Sequence, residues 1–475
     1  MLNESLKNHT FVSNTIYNVI YKIISAIFPF VMTAYASNIL EADGIGRISI
    51  VQNFVTYFTM IAALGIPNYG IKVIAKSKNL NQRSQSFWEL FYINFFSTSV
   101  CIVIYFFVVF SRKYDFKMAL IFSSLIFFNY VNIDWFYSGI EEFRYITIRS
   151  FIVKILALIF TFIYVKNNSD YYVYAIILCF TIGANNIVNI FLIKKYINFI
   201  SIWKCDFVTH IKSIFLLFLT SISVELYSLL DVSMLGIFGT NKIVGYYTTA
   251  SKFVKVPITL LVSISGALLP RLTLYYNNNN IRKCEELITY IFNILLSFAI
   301  PCGVGMFIIS SSAIPLIYGI GFKKTISTVK ILSFLFFCLT FSNLFGTQIL
   351  LTVGEEKKLC VATFFGMIIN VILNLLLIPS YRNNGAAIAS VVSEIIVTFI
   401  TFRCSKKYFK LHVKKKLIMN ILIGTLLMTI ILYCINYMIK IIWVKVIADL
   451  IIGFLSYIIY MSLSKGWKGI IIFQE

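Results

Sequence analysis

The sequence predicts an all-α polytopic membrane protein, and three observations carry that prediction. Apolar residues fill 59% of the 475 positions, enough for roughly fourteen spans of about 20 residues each. Charged residues are only 13%, where soluble domains carry about 25%, and mean hydropathy is +0.86. The apolar residues come in long runs, not in alternation, which argues against a β-barrel. A soluble globular fold and a disordered chain are both excluded.

Apolar windows give fourteen candidate spans in order: 11–35, 47–71, 86–110, 117–138, 147–165, 171–193, 211–235, 243–269, 287–310, 326–352, 358–378, 384–402, 417–438 and 441–463. The first carries Ala34-Tyr35-Ala36, which resembles a cleavage site. It is too long for a signal segment and holds Lys22 and Pro29, so it reads as a retained span. The loops are short, and none is long enough to fold as a separate domain. The expected organisation is an N-terminal six-helix bundle at 1–200, a C-terminal six-helix bundle at 201–410, and two appended helices at 411–475. An internal repeat supports the two halves: Gly46, Phe54 and Val55 lie 199 residues before Gly245, Phe253 and Val254. Repeated halves around a midplane site are the usual plan of secondary transporters.

The net charge of +22 comes from 41 Lys+Arg against 19 Asp+Glu. The cations cluster in short loops, so they read as topology and not as a nucleic-acid surface. With the N-terminus inside, cytoplasmic segments hold 25 of these cations, Arg149 and seven within 403–416 among them, and external segments hold 10. Both termini are therefore expected in the cytoplasm. The external loop with Arg112, Lys113 and Lys117 runs against the trend.

Nine cysteines are spaced at least 18 apart, and His9, His210 and His412 are scattered. There is no CxxC, no H-E-x-x-H and no phosphate-binding G-x-x-x-x-G-K-[ST], so neither a metal site, a cofactor nor an ATPase is expected.

Ionisable groups inside a bilayer are costly and face a cavity or a partner. Asn14, Asn18, Lys22 and Ser25 form one polar stripe on span one. Ser49, Asn53 and Thr56 form another on span two, and Thr147, Ser150, Lys154 and Thr161 share a face of span five. Thr248, Lys252, Lys255 and Thr259 line span eight, while Glu225 and Asp231 lie in span seven. Together these stripes imply an internal polar cavity. The alternative is that the charges pair off, Lys22 or Lys255 with Glu225 or Asp231. Lys330 and Lys445 lie near span ends and can snorkel. Glu89 reads as interfacial, and Asp449 and Glu394 are left open.

Glu41-Ala-Asp-Gly-Ile-Gly-Arg47, with Gln52, Tyr57-Phe58 and Leu64-Gly65, resembles the span 1–2 region of Wzx-type polysaccharide flippases. These share a superfamily with the multidrug MATE exporters. Asp134-Trp135-Phe136, Gly139, Glu141-Glu142-Phe143, Ile146 and Arg149 resemble the family's span 4–5 connection, although Ser138 stands where Gln is frequent. Gly245-Tyr246, Ala250, Lys252, Leu269-Pro270-Arg271 and Tyr318-Gly-Ile-Gly-Phe322 extend the likeness over most of the chain.

The resemblance implies two six-helix bundles enclosing a cationic cavity. It also implies a job: carrying undecaprenyl-pyrophosphate-linked oligosaccharide, such as an O-antigen unit, from the inner to the outer leaflet of a bacterial inner membrane. The matching cavity cations are Lys22, Lys252 and Lys255, with Lys154 on the polar face of span five. Arg47 would serve the outer gate, and Glu225 or Asp231 would serve ion coupling. A proton gradient, a sodium gradient or the membrane potential alone are the open energy sources. Membrane lipids, a polymerase and chain-length proteins are candidate partners. Two other readings compete. A small-solute or drug antiporter of the same fold would favour cavity carboxylates over lysines. A membrane polymerase or glycosyltransferase would use Glu41 and Asp43 as acids, but such enzymes need a large external loop, and turn or cap roles suit both residues.

Overall fold

A computed structural model of the chain describes residues 2–111, 115–266, 269–464 and 466. Among these the regular structure is helical, with no strand. The helices are α1 (Leu2–Ala63), α2 (Ile66–Lys76), α3 (Leu80–Ser111), α4 (Phe116–Asn129), α5 (Asp134–Gly139), α6 (Phe143–Tyr164), α7 (Tyr171–Ile193), α8 (Val208–Phe238), α9 (Asn241–Gly266), α10 (Leu269–Asn277), α11 (Ile281–Tyr318), α12 (Thr325–Leu332), α13 (Leu335–Ser342), α14 (Glu356–Ser405), α15 (Lys415–Met438) and α16 (Ile442–Leu463). A π-helical stretch, Asn343–Leu350, follows α13 directly.

Among the described residues, each of the fourteen expected windows falls largely on helix, with breaks at 64–65, 130–133 and 333–334. Among the described residues, eight helices are long and apolar enough to cross a membrane, or nine if the bent pair Thr325–Leu332 and Leu335–Leu350 counts as one span. Part of the difference arises because some helices hold two spans, and part because α4, α8 and α9 are not among the eight. α1 has 62 residues, about 93 Å if straight, three times the hydrocarbon thickness of roughly 30 Å. It is broken at Glu41 (φ 55°), and the 50-residue α14 is broken likewise at Arg382 (φ 51°). Both residues adopt the left-handed region that non-glycine residues rarely visit. The 199-residue repeat places Glu41 opposite Thr240, in the short gap between α8 and α9. The two halves therefore break their chain at equivalent points.

The chain divides into two compact units, 1–233 and 234–475, with the division inside α8. In unit 1 the first arm of α1 runs parallel to α6. The Thr147 hydroxyl donates to the Tyr17 carbonyl at 3.0 Å, the Lys154 ammonium to the Ser25 hydroxyl at 2.7 Å, and the Tyr35 hydroxyl to the Val165 carbonyl at 3.2 Å. α8 runs antiparallel to the second arm of α1 and to α2. The Asn53 amide donates to the Leu229 carbonyl at 3.0 Å and to the Ser233 hydroxyl at 2.8 Å, and Tyr69 meets His210. Between those contacts, Gly65 (φ 76°) lies so close to α8 that a Cβ would come within 2.7 Å of the Phe218 nitrogen. Only glycine fits there.

In unit 2, α9 meets α14 through Tyr247 and Ser390 at 2.9 Å, and α12 meets α14 where the Asn383 amide donates to Thr328 at 2.7 Å. α15 and α16 pack on each other and on α11, where the Tyr457 hydroxyl donates to the Ser297 carbonyl at 2.7 Å. Such buried bonds replace the hydrophobic drive that helices lack against lipid.

Candidate functional site

Unit 1 concentrates its polar side chains where α5, α6 and α7 meet the first arm of α1. Arg149 is at the centre. Its guanidinium is 4% exposed and spends its donors on three partners. Nη2 donates to Asp134 Oδ1 at 2.9 Å, Nε to Asn185 Oδ1 at 3.0 Å, and Nη1 to Asn189 Oδ1. Asn189 in turn donates to Asp134 Oδ1 at 2.6 Å. The Tyr145 ring lies 5.4 Å from the Arg149 guanidinium carbon. Asn185 and Asn189 are four apart on α7, so one helical face presents both. A planar, permanently charged guanidinium held by a carboxylate and two amides is a satisfied buried cation.

Lys154, five residues further along α6 and halfway through it, is held differently. Its ammonium donates to Ser25 at 2.7 Å and faces the Tyr21 ring at 5.4 Å. An ammonium has three donors, and among the described residues Ser25 is the one protein acceptor of Lys154. Asp134 and Arg149 lie within electrostatic reach of it. Lys22 follows Tyr21 on α1 and is exposed, with no carboxylate partner among the described residues. The two α1 residues that Lys154 meets, Tyr21 and Ser25, thus flank Lys22 in the sequence. A partly dehydrated ammonium with unspent donors suits an anionic oxygen ligand.

The other expected site residues fall as follows. Asn53 is buried, with its amide committed to α8. The side chains of Asn14 and Asn18 lie outside the described residues. Arg47 is exposed, bonded to Asp43 at 2.9 Å and positioned over the Tyr171 ring. Asp231 is buried and Glu225 exposed, both on α8. On α9 in unit 2, Lys252 is half-buried and Lys255 exposed, beside buried Thr248. Glu394 is buried and accepts from Ser342, one residue before the π-helical stretch, and Asp449 is buried in α16. Among the described residues no cluster of His, Cys, Asp or Glu could hold a metal ion.

One assignment is corrected. The charge pattern reads Arg149 as a cytoplasmic loop cation, whereas the structure buries it in α6 and pairs it with Asp134. Charge alone could not separate it from a loop cation, because it stands within a turn or two of the start of α6. The usable signal was Asp134 upstream together with Asn185 and Asn189 at helical spacing.

The fold and its long apolar helices define a multi-pass α-helical membrane protein. The model for the family of polysaccharide biosynthesis proteins matches residues 11–276, more than half of the chain, and the chain belongs to that family. A putative O-antigen transporter of Shigella dysenteriae is 20% identical over 388 residues, covering 80% of this chain and 96% of the relative. One from Escherichia coli (strain K12) is 23% identical over 407 residues, covering 81% and 94%. Among solved structures, the lipid II flippase MurJ in an inward closed conformation superposes with a TM-score of 0.74 at 18% identity, covering 94% of this chain and 98% of that one. An inward-facing MATE multidrug transporter of the MOP superfamily gives 0.58 at 15% identity, covering 83% and 94%. At such identities the structural likeness speaks for the fold.

Proposed function

We propose that this chain is a flippase for lipid-linked oligosaccharide and not an enzyme. Its cargo would be a glycan on undecaprenyl pyrophosphate, an O-antigen unit or a related surface polysaccharide, moved to the outer leaflet of a bacterial inner membrane. The observation that carries the reading is Lys154: a half-buried ammonium at mid-span with donors to spare, in a family whose relatives are named as O-antigen transporters. Lys22 joins it in unit 1, and Lys252 and Lys255 are the corresponding cations of unit 2. Each of these ammoniums suits a charge-assisted bond to a pyrophosphate oxygen, in a setting where water competes poorly. Lysines in place of cavity carboxylates favour an anionic head group over the cationic cargo of a drug antiporter.

Carrying about two negative charges outward across an inside-negative membrane releases roughly 4–5 kcal/mol per 100 mV. An ATPase is not required by that arithmetic. Glu225 and Asp231 remain the proposed groups for coupling to a proton or sodium gradient, and Arg47 the proposed outer gate. Both termini are placed in the cytoplasm, on the side of the 403–416 cations. A polymerase and chain-length proteins would act on the product.

Complementation tests the reading. In a flippase-null strain at matched protein level, the wild-type chain should restore surface polysaccharide. Lys22→Ala and the Lys252→Ala/Lys255→Ala pair should not, while Arg at the same positions retains more export than Ala. Full export by the Ala variants would mean that the head group is held elsewhere.

A further inference from the structure

Outside the cation site, a buried hydrogen-bonded cluster of unit 1 lies where α8 begins. Glu89, near the start of α3, is 5% exposed. Its Oε2 meets His210 Nε2 at 2.7 Å, and its Oε1 accepts from the Gln85 amide at 2.6 Å and the Asp206 backbone at 3.0 Å. His210 Nδ1 meets the Tyr69 hydroxyl at 2.9 Å. The relay therefore ties α2, α3, the 194–207 connection and α8 at one point. It tolerates either state of the imidazole. A neutral ring donates through Nε2 and accepts from Tyr69, and a protonated ring donates to both partners.

We propose that Tyr69, His210 and Glu89 form a releasable latch that seats the start of α8 on unit 1, and that each transport cycle opens it. The proposal rests on the transporter reading above. α8 passes from unit 1 into unit 2 at Ser233 and Met234, so it is the covalent link through which a movement of unit 2 reaches the seat. Three features make the seat separable. At its middle, the α8 backbone rests on Gly65, which has no side chain to interlock. At its far end, Asn53 and Tyr57 hold Ser233 at 2.8 and 2.9 Å and provide a pivot. At its near end the hold is the relay itself, whose directional bonds are lost together once α8 shifts. Ile214, one turn beyond His210, is 3% exposed within the apolar core of Ile66, Ile74 and Leu90, so it is covered only while the latch is shut.

The test is thiol labelling of Ile214→Cys by N-ethylmaleimide in an otherwise cysteine-free chain. In purified protein in nanodiscs, Ile214→Cys should label slowly, and adding His210→Phe should speed labelling about tenfold, the scale expected when a charge-assisted buried bond is lost. In cells, labelling should be faster in a host that makes the lipid-linked glycan than in one lacking the first assembly enzyme. Hydrogen exchange of amides 209–215 in His210→Gln gives the same comparison without a cysteine, should Ile214→Cys fold poorly. Equal protection with and without His210 overturns the latch. Equal labelling in the two hosts overturns its opening during transport. Failure of the wild-type chain to restore surface polysaccharide would reject the flippase reading and leave the nanodisc result standing.

Discussion

Arg149 and Lys154 stand five residues apart on α6, and the protein treats them in opposite ways. Arg149 is enclosed by Asp134, Asn185 and Asn189, so its charge is spent inside the fold. Among the described residues Lys154 receives one hydroxyl and one aromatic face, which leaves it two further N–H donors. Placing an ion in a membrane protein is expensive unless a partner compensates it. A fully compensated ion is architecture. A partly compensated one is held ready for a ligand that supplies the rest. The contrast teaches that a count of intramembrane cations says little until their donors are accounted for one by one.

The largest effect should come from breaking the architectural half. Asp134→Ala leaves the Arg149 guanidinium buried and unneutralised, at a cost of about 3–5 kcal/mol. Expression and thermal stability by fluorescence-detected size exclusion should collapse. The neutral pair Asp134→Leu/Arg149→Met should restore most of the folding, because it removes both charges together. If Asp134→Ala melts like the wild type, Arg149 is not held as described.

Breaking the other half should do the reverse. Lys154→Met should fold normally, since its chain keeps the apolar contacts, yet lose export. Lys154→Arg should keep a substantial part of export. A Lys154→Met protein that exports fully would place this ammonium among the structural groups, beside Arg149.

The smallest effect belongs to a cluster around Glu355, the residue just before α14. Glu355 accepts from Lys358 at 2.8 Å and from Tyr408, and these bonds hold its carboxyl below the ordinary carboxylate range. A depressed folded-state pKa contributes stability above the unfolded value and loses it as pH falls through the folded one. Glu355→Gln should therefore lower the melting temperature slightly at neutral pH. The difference from wild type should vanish in acid, because the wild type then loses the same contribution. A difference that persists or grows in acid would contradict this origin.

Much of the fold was legible in the sequence because bilayer spans announce themselves by length. Among the described residues all fourteen windows are largely helical, and the 199-residue repeat pairs the break at Glu41 with the gap at Thr240. The joining of spans into α1 and α14 was not legible, since a left-handed Glu or Arg has no compositional mark. In the site, Lys154 and Lys22 showed themselves as polar residues at helical spacing in apolar runs. Arg149 and Glu89 did not. Their partners, Asn189 and His210, are 40 and 121 residues away, and periodicity within one helix is blind to such contacts. Asn53 illustrates the reverse: helical spacing put it on a polar stripe, whereas the bonds it makes are to the α8 backbone and Ser233.

The most direct measurement is reconstitution. Purified wild-type and Lys154→Met protein would be placed in liposomes carrying a fluorescent short-chain lipid pyrophosphate bearing one N-acetylated sugar, with an inside-negative potential imposed. Quenching by an external reductant then reports movement between leaflets. The prediction is rapid loss of protected fluorescence with wild type and a rate near that of empty liposomes with Lys154→Met, the two proteins melting alike. Equal rates for the two proteins would contradict the claim that the unspent donors of Lys154 hold the head group.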